Sequence, residues 1–177
     1  MSRLKDLETK TGISIDSIPV DGIPYHMISE DGFYRDIPVL CDSFDDQKNF
    51  MFVSFYDIVT AVGLSRNNLW DINSRWILDA GLGREYVMAN REDINDVLSY
   101  HWVRDRQYIM EKVGSDEYSD VLDKYIGDMR KSKTPENVIE VFKEIKFLYP
   151  RAHDVELAFV VFKFIWYKMN YPDMYEA

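Results

Sequence analysis

Hydrophobic and polar positions follow two different patterns along the chain, and the change falls near residue 54. Before it, short runs rich in aromatic and β-branched residues alternate with polar turns, as in "GIPYHMI" and "FYRDIPVLCDS" on either side of Glu30-Asp31-Gly32. Such runs around a glycine turn are typical of a β-hairpin, and the partly alternating "NFMFVSF" has the pattern of a third strand. We therefore expect a short helix over residues 3–10 and then a small β-region, which together make up residues 1–53.

Helical spacing replaces this alternation in the central part of the chain, residues 54–113. Ser54 and Asp57 have the spacing of a capping box, which predicts a helix over residues 55–63 that ends at Gly63. The elements predicted to follow are a helix over residues 66–78, the short strand "REYVMA", and a helix capped by Asn90 that can run over residues 91–113.

The C-terminal half, residues 114–177, has helical spacing throughout. Thr134 followed by Pro135 predicts a helix start, and that helix is expected to end at Pro150. The last predicted helix, residues 155–169, is apolar on most sides, and such a helix lies either in the centre of a bundle or in an interface. The predicted fold class is therefore α+β: a small N-terminal β-region, a central unit with a short strand, and a helical C-terminal half, as three parts or as one continuous domain.

The stretch "DIVTAVGLSRNNLWDI", residues 57–72, has the spacing of two helices that cross at a tight bend. Ile58, Val59 and Val62 would face inward from the first helix. Gly63 would supply the positive φ of the bend. The pattern resembles the helix-turn-helix superfamily of DNA-binding proteins over about 20 residues, and "GLGREYVMANREDINDVL" resembles the strand and helix that follow in winged-helix variants. One position departs from the family pattern, because Val59 stands where a small residue is usual.

The resemblance implies that the N-terminal end of the second helix enters the major groove of DNA. Arginine pairs with guanine and asparagine with adenine, so the polar residues on this helix suit base reading. The side chains implied to contact bases are Arg66, Asn67, Asn68 and Asp71. Those implied to contact phosphate are Arg75, Arg84 and Arg91. Because a helix-turn-helix protein usually binds as a two-fold pair, the C-terminal helices would form a homodimer.

Net charge weighs against a general polyanion binder. The chain has 21 basic and 31 acidic residues and a formal charge of −10, whereas phosphate contacts need Lys and Arg. Residues 54–113 are nearest to neutral, and residues 1–53 are the most acidic part. The acidity keeps a second interpretation open, in which an acidic, tyrosine-rich surface binds a basic protein partner in place of nucleic acid.

No catalytic, metal-binding or cofactor-binding motif stands out in the sequence. His26, His101 and His153 lack a metal-ligand spacing, and the single Cys41 excludes an internal disulfide. Gly81-Leu82-Gly83 lacks the remaining residues of a phosphate-binding loop. The N-terminal end has no apolar signal region and no apolar run is long enough to span a bilayer, so we expect a cytoplasmic protein without a cofactor.

Two functional interpretations follow. The leading one is a non-enzymatic regulator that contacts DNA or the transcription machinery through residues 54–91. The alternative is an acidic inhibitor or adaptor with no DNA binding of its own, of the DNA-mimic kind that phages make against host enzymes. A neutral or basic patch around the predicted arginines favours the first, and a continuous acidic face that includes Asp71 favours the second.

Overall fold

The structure, a computed structural model, describes residues 2–30, 32–41 and 50–177, and the regular structure in these ranges is helical. Its α-helices are α1 (Ser2–Thr11), α2 (Phe55–Arg66), α3 (Trp70–Asn73), α4 (Arg91–Tyr100), α5 (Arg106–Lys112), α6 (Tyr118–Lys131), α7 (Glu136–Glu144), α8 (Arg151–Asn170) and α9 (Pro172–Glu176). Short 3₁₀ turns lie at Ile15–Ser17, Tyr25–Ser29 and Arg84–Tyr86, and a π-helical turn, Ser74–Leu78, extends α3. No strand occurs among the described residues, so the expected α+β class is wrong.

The predicted N-terminal strands are instead a series of tight turns. Several backbone N–H groups donate to the carbonyl three residues earlier, as from Ile37 to Tyr34 at 3.1 Å and from Leu40 to Ile37 at 3.2 Å. Because these groups are bonded within turns, they are not available for the ladder of a β-hairpin. Parts of the prediction lie outside the described residues, namely Asp31 of the expected hairpin turn and residues 42–49 at the ends of two expected strands.

The strand-like alternation of this region has another cause. Its apolar side chains cover the helices from several directions rather than forming one face of a sheet. The Phe50 ring packs edge-on against Trp70 with centroids 5.1 Å apart, and Tyr25 lies 6.4 Å from Phe162 of α8. Phe52 is completely buried. Burial against a helical core therefore produced a spacing that resembles a half-buried strand.

Helix α2 begins as predicted and ends later than predicted. A carboxylate oxygen of Asp57 accepts hydrogen bonds from the backbone N–H groups of Ser54 at 2.8 Å and Val53 at 2.6 Å, which confirms the capped start. The helix then continues through Gly63 to Arg66, and the chain turns at Asn67, Asn68 and Leu69. Asn68 takes the positive φ of 54° that was expected of the glycine. The predicted break at Gly63 is therefore wrong, and the helix-turn-helix resemblance stays a prediction.

Gly63 is required for a different reason, the close approach of three elements. A Cβ atom on Gly63 would lie 2.7 Å from an oxygen of Asp154 in α8 and 2.8 Å from the carbonyl oxygen of Ala89. Contacts that close do not occur for a real Cβ, so any larger residue forces a shift. The glycine thus sets the distance at which α2 crosses α8.

Helix α8 is central to the bundle, which is one of the two positions predicted for an apolar helix. It packs against α1, α2 and α9, and Ala158, Val161 and Ile165 are completely buried. The hydroxyl of Tyr167 donates to the carbonyl of Ile13 at 2.7 Å. No helix in the described ranges is both long and apolar enough to cross a membrane. A homodimer formed through the C-terminal helices stays a prediction.

Further boundaries differ from the prediction, and the helix expected over residues 66–78 begins at Trp70. "REYVMA" forms a 3₁₀ turn followed by extended chain instead of a strand, because a lone strand has no partner to pair with. The helix expected over residues 91–113 breaks into α4 and α5 at a corner where Trp102 and Asp105 both have φ of 54°. Helix α7 ends at Glu144 rather than at Pro150, which leaves residues 145–149 as an extended segment.

We predict that Gly63→Ala lowers the free energy of unfolding by about 1–3 kcal/mol, because the new methyl group overlaps Ala89 and Asp154. The matched control is Gly127→Ala in α6, where a Cβ would meet nothing within 4 Å. Alanine has the higher helix propensity, so the control should gain about 0.5–1 kcal/mol. Urea unfolding followed by circular dichroism measures both. Stabilisation by both substitutions would show that the α2–α8 approach is not tight.

Candidate nucleic-acid interface

An open groove of about 860 Å³ lies between the turn that follows α2 and the extended segment that follows α7. Its first wall comes from the end of α2 and from α3, and its second wall from the end of α7 and the extended segment. The groove is lined by Arg66, Asn67, Asn68, Leu69, Asp71, Ile72, Lys143, Glu144, Lys146, Phe147 and Tyr149. Four of the seven side chains predicted to contact DNA are therefore neighbours in one concave surface.

Apart from Arg66, the first wall presents neutral polar groups and one carboxylate. Asn67 is held in place, because its side-chain amide donates to the carbonyl of Gly63 at 2.9 Å. Asn68 is exposed on the turn. Asp71 is also largely exposed and forms an ion pair with Arg75 one helical turn later. This wall can donate and accept hydrogen bonds but carries little free charge.

The second wall carries two lysines, two aromatic rings and the carboxylate of Glu144. Ile145 and Leu148 are buried and fix the extended segment, so Lys146 and Phe147 between them face solvent. Phe147 is 46% exposed, and its ring packs edge-on against Tyr149 with centroids 4.8 Å apart. An exposed ring held in a fixed orientation beside lysines can stack on a planar ligand and bind its phosphates.

Arg66 links the two walls at one end of the groove. Its guanidinium carbon lies 4.0 Å from the centroid of the Tyr149 ring, a cation–π contact. One guanidinium nitrogen is 3.7 Å from a carboxylate oxygen of Asp154. Because both partners orient the guanidinium, Arg66 is a positioned cation rather than a mobile one.

The groove has an excess of positive charge although the chain as a whole is acidic. Three cations line it against two carboxylates, and Arg75 at its edge pairs with Asp71 and lies 3.6 Å from Glu144. The indole N–H of Trp76 also donates to Glu144 at 2.6 Å. Lys143 is paired with Glu140, whereas Lys146 has no ion-pair partner in the part of the chain that the structure describes. A negatively charged ligand would therefore be favoured here.

The other predicted phosphate contacts have different positions. Arg75 lies at the edge of the groove. Arg91 lies behind the second wall, where its backbone N–H donates to the carbonyl of Tyr149 at 2.9 Å. Arg84 lies in a separate pocket, 2.7 Å from Asp57 and with its guanidinium over the Phe50 ring. The geometry thus brings Arg84 to the capping carboxylate of α2 and not to the groove.

Sequence reasoning missed the second wall. The helix expected to end at Pro150 would have placed Lys146 and Phe147 on a helix rather than on an extended segment. The available signal was the alternation of lysines and aromatic residues in "KEIKFLYP", a composition found in surfaces that bind single-stranded nucleic acid. Trp70 on α3 is buried, and its indole N–H donates to the hydroxyl of Ser65 at 2.8 Å.

A partly buried network of polar groups lies at the start of α8. Arg151, the first residue of α8, donates to Asp93 at 2.8 Å, Asp96 at 2.6 Å and Asn90 at 3.2 Å. Asp154 lies one turn further along α8, where it is fully buried and neither carboxylate oxygen has a hydrogen bond among the described residues. Burial raises the pKa of Asp154 to about 7, against the opposing effect of the Arg66 charge.

No group of three or more His, Cys, Asp or Glu side chains within the described ranges is placed to hold a metal ion. Three acidic residues of α4 are bonded to Arg151 itself, since Asp93 and Asp96 accept from its guanidinium and Glu92 accepts from its backbone N–H at 2.6 Å.

Comparison with known proteins shows similarity to one kind of enzyme. No family model matches the sequence. Proteins named DNA polymerase III PolC-type are 31% identical over 128 residues in Thermotoga petrophila, 32% over 127 residues in Ureaplasma parvum and 31% over 130 residues in Clostridium perfringens. The aligned part is 69–70% of this chain and 9% of each of these relatives. The chain thus spans less than a tenth of the length of the proteins that it matches.

These relatives correct the functional expectations. Similarity over about 130 residues is stronger than a spacing match over about 20 residues, because a corner between two helices occurs in many proteins. The prediction of a transcription regulator is therefore wrong, as is the alternative prediction of a phage-type acidic inhibitor that binds a basic protein. The expectation of a non-enzymatic protein is also wrong, in that the similar proteins are enzymes, although the match is to a small part of each.

We predict that Asp154→Asn stabilises the protein more at pH 8 than at pH 5, by about 1–3 kcal/mol. The folded state holds the Asp154 proton up to a pKa of about 7, whereas an unfolded aspartate loses its proton near pH 4. The folded state therefore binds more protons in this window, and the contribution of Asp154 to stability falls as pH rises from about 4 to 7. The neutral amide of the Asp154→Asn variant does not titrate, so the variant does not lose this stability as pH rises.

The control for this prediction is Asp120→Asn, since Asp120 occupies the first turn of α6 but is exposed. Thermal unfolding at the two pH values measures all three proteins. An equal effect of Asp154→Asn at pH 5 and pH 8 would show that this carboxylate is already ionised in the folded protein at pH 5.

Proposed function

We propose that this chain is a helical domain with a role in DNA replication. It would contribute a DNA-binding surface to a DNA polymerase III of PolC type, either as part of that enzyme or as a separate protein that works with it. The observation that carries the proposal is the identity of about 31% to such polymerases over about 70% of the chain. A domain of a DNA polymerase must hold DNA, position it or support the parts that do. The groove is the surface of this chain that suits the first of these tasks.

The groove supports the proposal through its charge and its shape. Lys143, Lys146 and Arg66 stand together on a concave surface in a chain of net charge −10. Phosphate contacts by Lys and Arg supply most of the sequence-independent affinity for DNA. Arg66, Asn67 and Asn68 thus keep their proposed role as DNA contacts, but on the wall of a groove rather than on a helix inserted into the duplex. Arg84 has no part in this contact.

The test compares two double variants that change the net charge equally. Lys143→Gln with Lys146→Gln removes the charge of the second wall, and Lys5→Gln with Lys10→Gln removes the same charge from α1. We expect the groove variant to bind a primer–template about tenfold more weakly at moderate salt. For this variant, the slope of log affinity against log salt concentration should also be shallower by about 1–2. The α1 variant should bind like the unchanged protein.

The measurement is fluorescence anisotropy of a labelled primer–template, which offers both duplex and single-stranded DNA, at several salt concentrations. All four lysines are exposed, so circular dichroism should show unchanged folding. Equal losses in the two double variants would mean that the groove is not the DNA contact. Absence of any salt-sensitive binding by the unchanged protein would refute DNA association altogether.

A further inference from the structure

We infer that the groove takes single-stranded DNA, with the sugar–phosphate backbone along the second wall, the bases toward the first wall, and one base stacked on Phe147. This inference rests on the proposed function and names the form of DNA that the groove binds. It follows from the difference between the two walls and from the way the Phe147 ring is held.

The unequal walls favour one strand over two. Lys143 and Lys146 are both on the second wall, where they can follow one phosphate backbone. The opposite wall carries Asn68 and Asp71, which suit the polar edges of bases, and the charge of Asp71 is paired with Arg75. A duplex presents phosphates on both of its sides, so one strand would lie against Asn68 and Asp71, away from the two lysines. A single strand places charge on one side only.

Phe147 has the features of a base-stacking residue. The ring is 46% exposed, so one part of it is open to a ligand. Another part is supported by the edge-on contact with Tyr149 and by the backbone of Gly114. A Cβ atom added to Gly114 would lie 3.0 Å from a ring carbon of Phe147. Because Gly114 has no side chain, the ring can lie directly on the backbone at that point. Stacking on a ring that is already oriented loses little side-chain entropy.

Arg66 extends the same surface. Its guanidinium lies over the Tyr149 ring, and the Tyr149 ring touches Phe147. A planar cation and two rings therefore follow one another along the end of the groove. Guanidinium groups and aromatic rings both stack on bases without reading their sequence, so the groove should hold any single strand with only modest preference for its bases.

The test measures the binding of the 177-residue chain to a labelled 12-nucleotide oligothymidine and to a labelled 12-base-pair duplex by anisotropy. We expect the single strand to bind at least about tenfold more tightly than the duplex. Phe147→Leu, which keeps an apolar side chain but removes the ring, should weaken single-strand binding by about 5–30-fold. It should change duplex binding by less than about twofold. Phe147→Tyr should retain the binding of the unchanged protein.

The matched control is Phe159→Leu, since Phe159 is a similarly exposed phenylalanine, at 39%, on α8. It should leave single-strand binding unchanged. The inference is overturned if the duplex binds as tightly as the single strand, or if Phe147→Leu and Phe159→Leu have the same effect. In either case a loss in the Lys143→Gln, Lys146→Gln double variant would still support the proposed function. If neither DNA binds in a salt-sensitive way, the DNA association fails together with the inference.

Discussion

The rest of the structure depends on the contact between α2 and α8 at Gly63. Only a residue without a side chain lets the two helices approach while the carboxylate of Asp154 and the carbonyl of Ala89 fill the space beside them. Arg66, one helical turn beyond Gly63, is thereby placed against Asp154 and over the Tyr149 ring. A buried carboxylate without a hydrogen bond, such as that of Asp154, costs free energy in its ionised form. The same carboxylate helps to fix the position of Arg66.

The groove exists because three chain segments meet at the start of α8. Arg151 bonds to carboxylates of α4, and the first N–H of α4 donates to the extended segment at Tyr149. These polar contacts hold a segment that has no regular structure of its own, and the buried Ile145 and Leu148 complete its anchoring. The binding surface is thus made of exposed side chains on backbone that is fixed from the inner side, which is the arrangement that keeps a site in place before its ligand arrives.

Local signals explain which predictions were confirmed. The starts of α2 and α4 were predicted because a cap acts on N–H groups within three residues: Asp57 accepts from the N–H of Ser54, and Asn90 accepts from the N–H of Asp93. Arg66, Asn67, Asn68 and Asp71 were recognised as one set because they are adjacent in sequence. The second wall was missed, since Lys143 and Phe147 come close to that set only after α7 packs against the segment following α3. Arg84 was grouped with the others by its charge, whereas burial and Asp57 decide its position.

The sequence by itself determined the helical caps, the apolar character of α8 and the polar residues of one wall, since these follow from spacing over a few residues. The tertiary structure decided the absence of strands among the described residues, the helical state of Gly63 and the assembly of the groove. The physical reason is that strand-like alternation and glycine each serve more than one purpose. Alternating apolar residues suit any segment that is buried from several sides, and glycine permits a turn or a close approach. Which of these applies depends on neighbours that are distant along the chain.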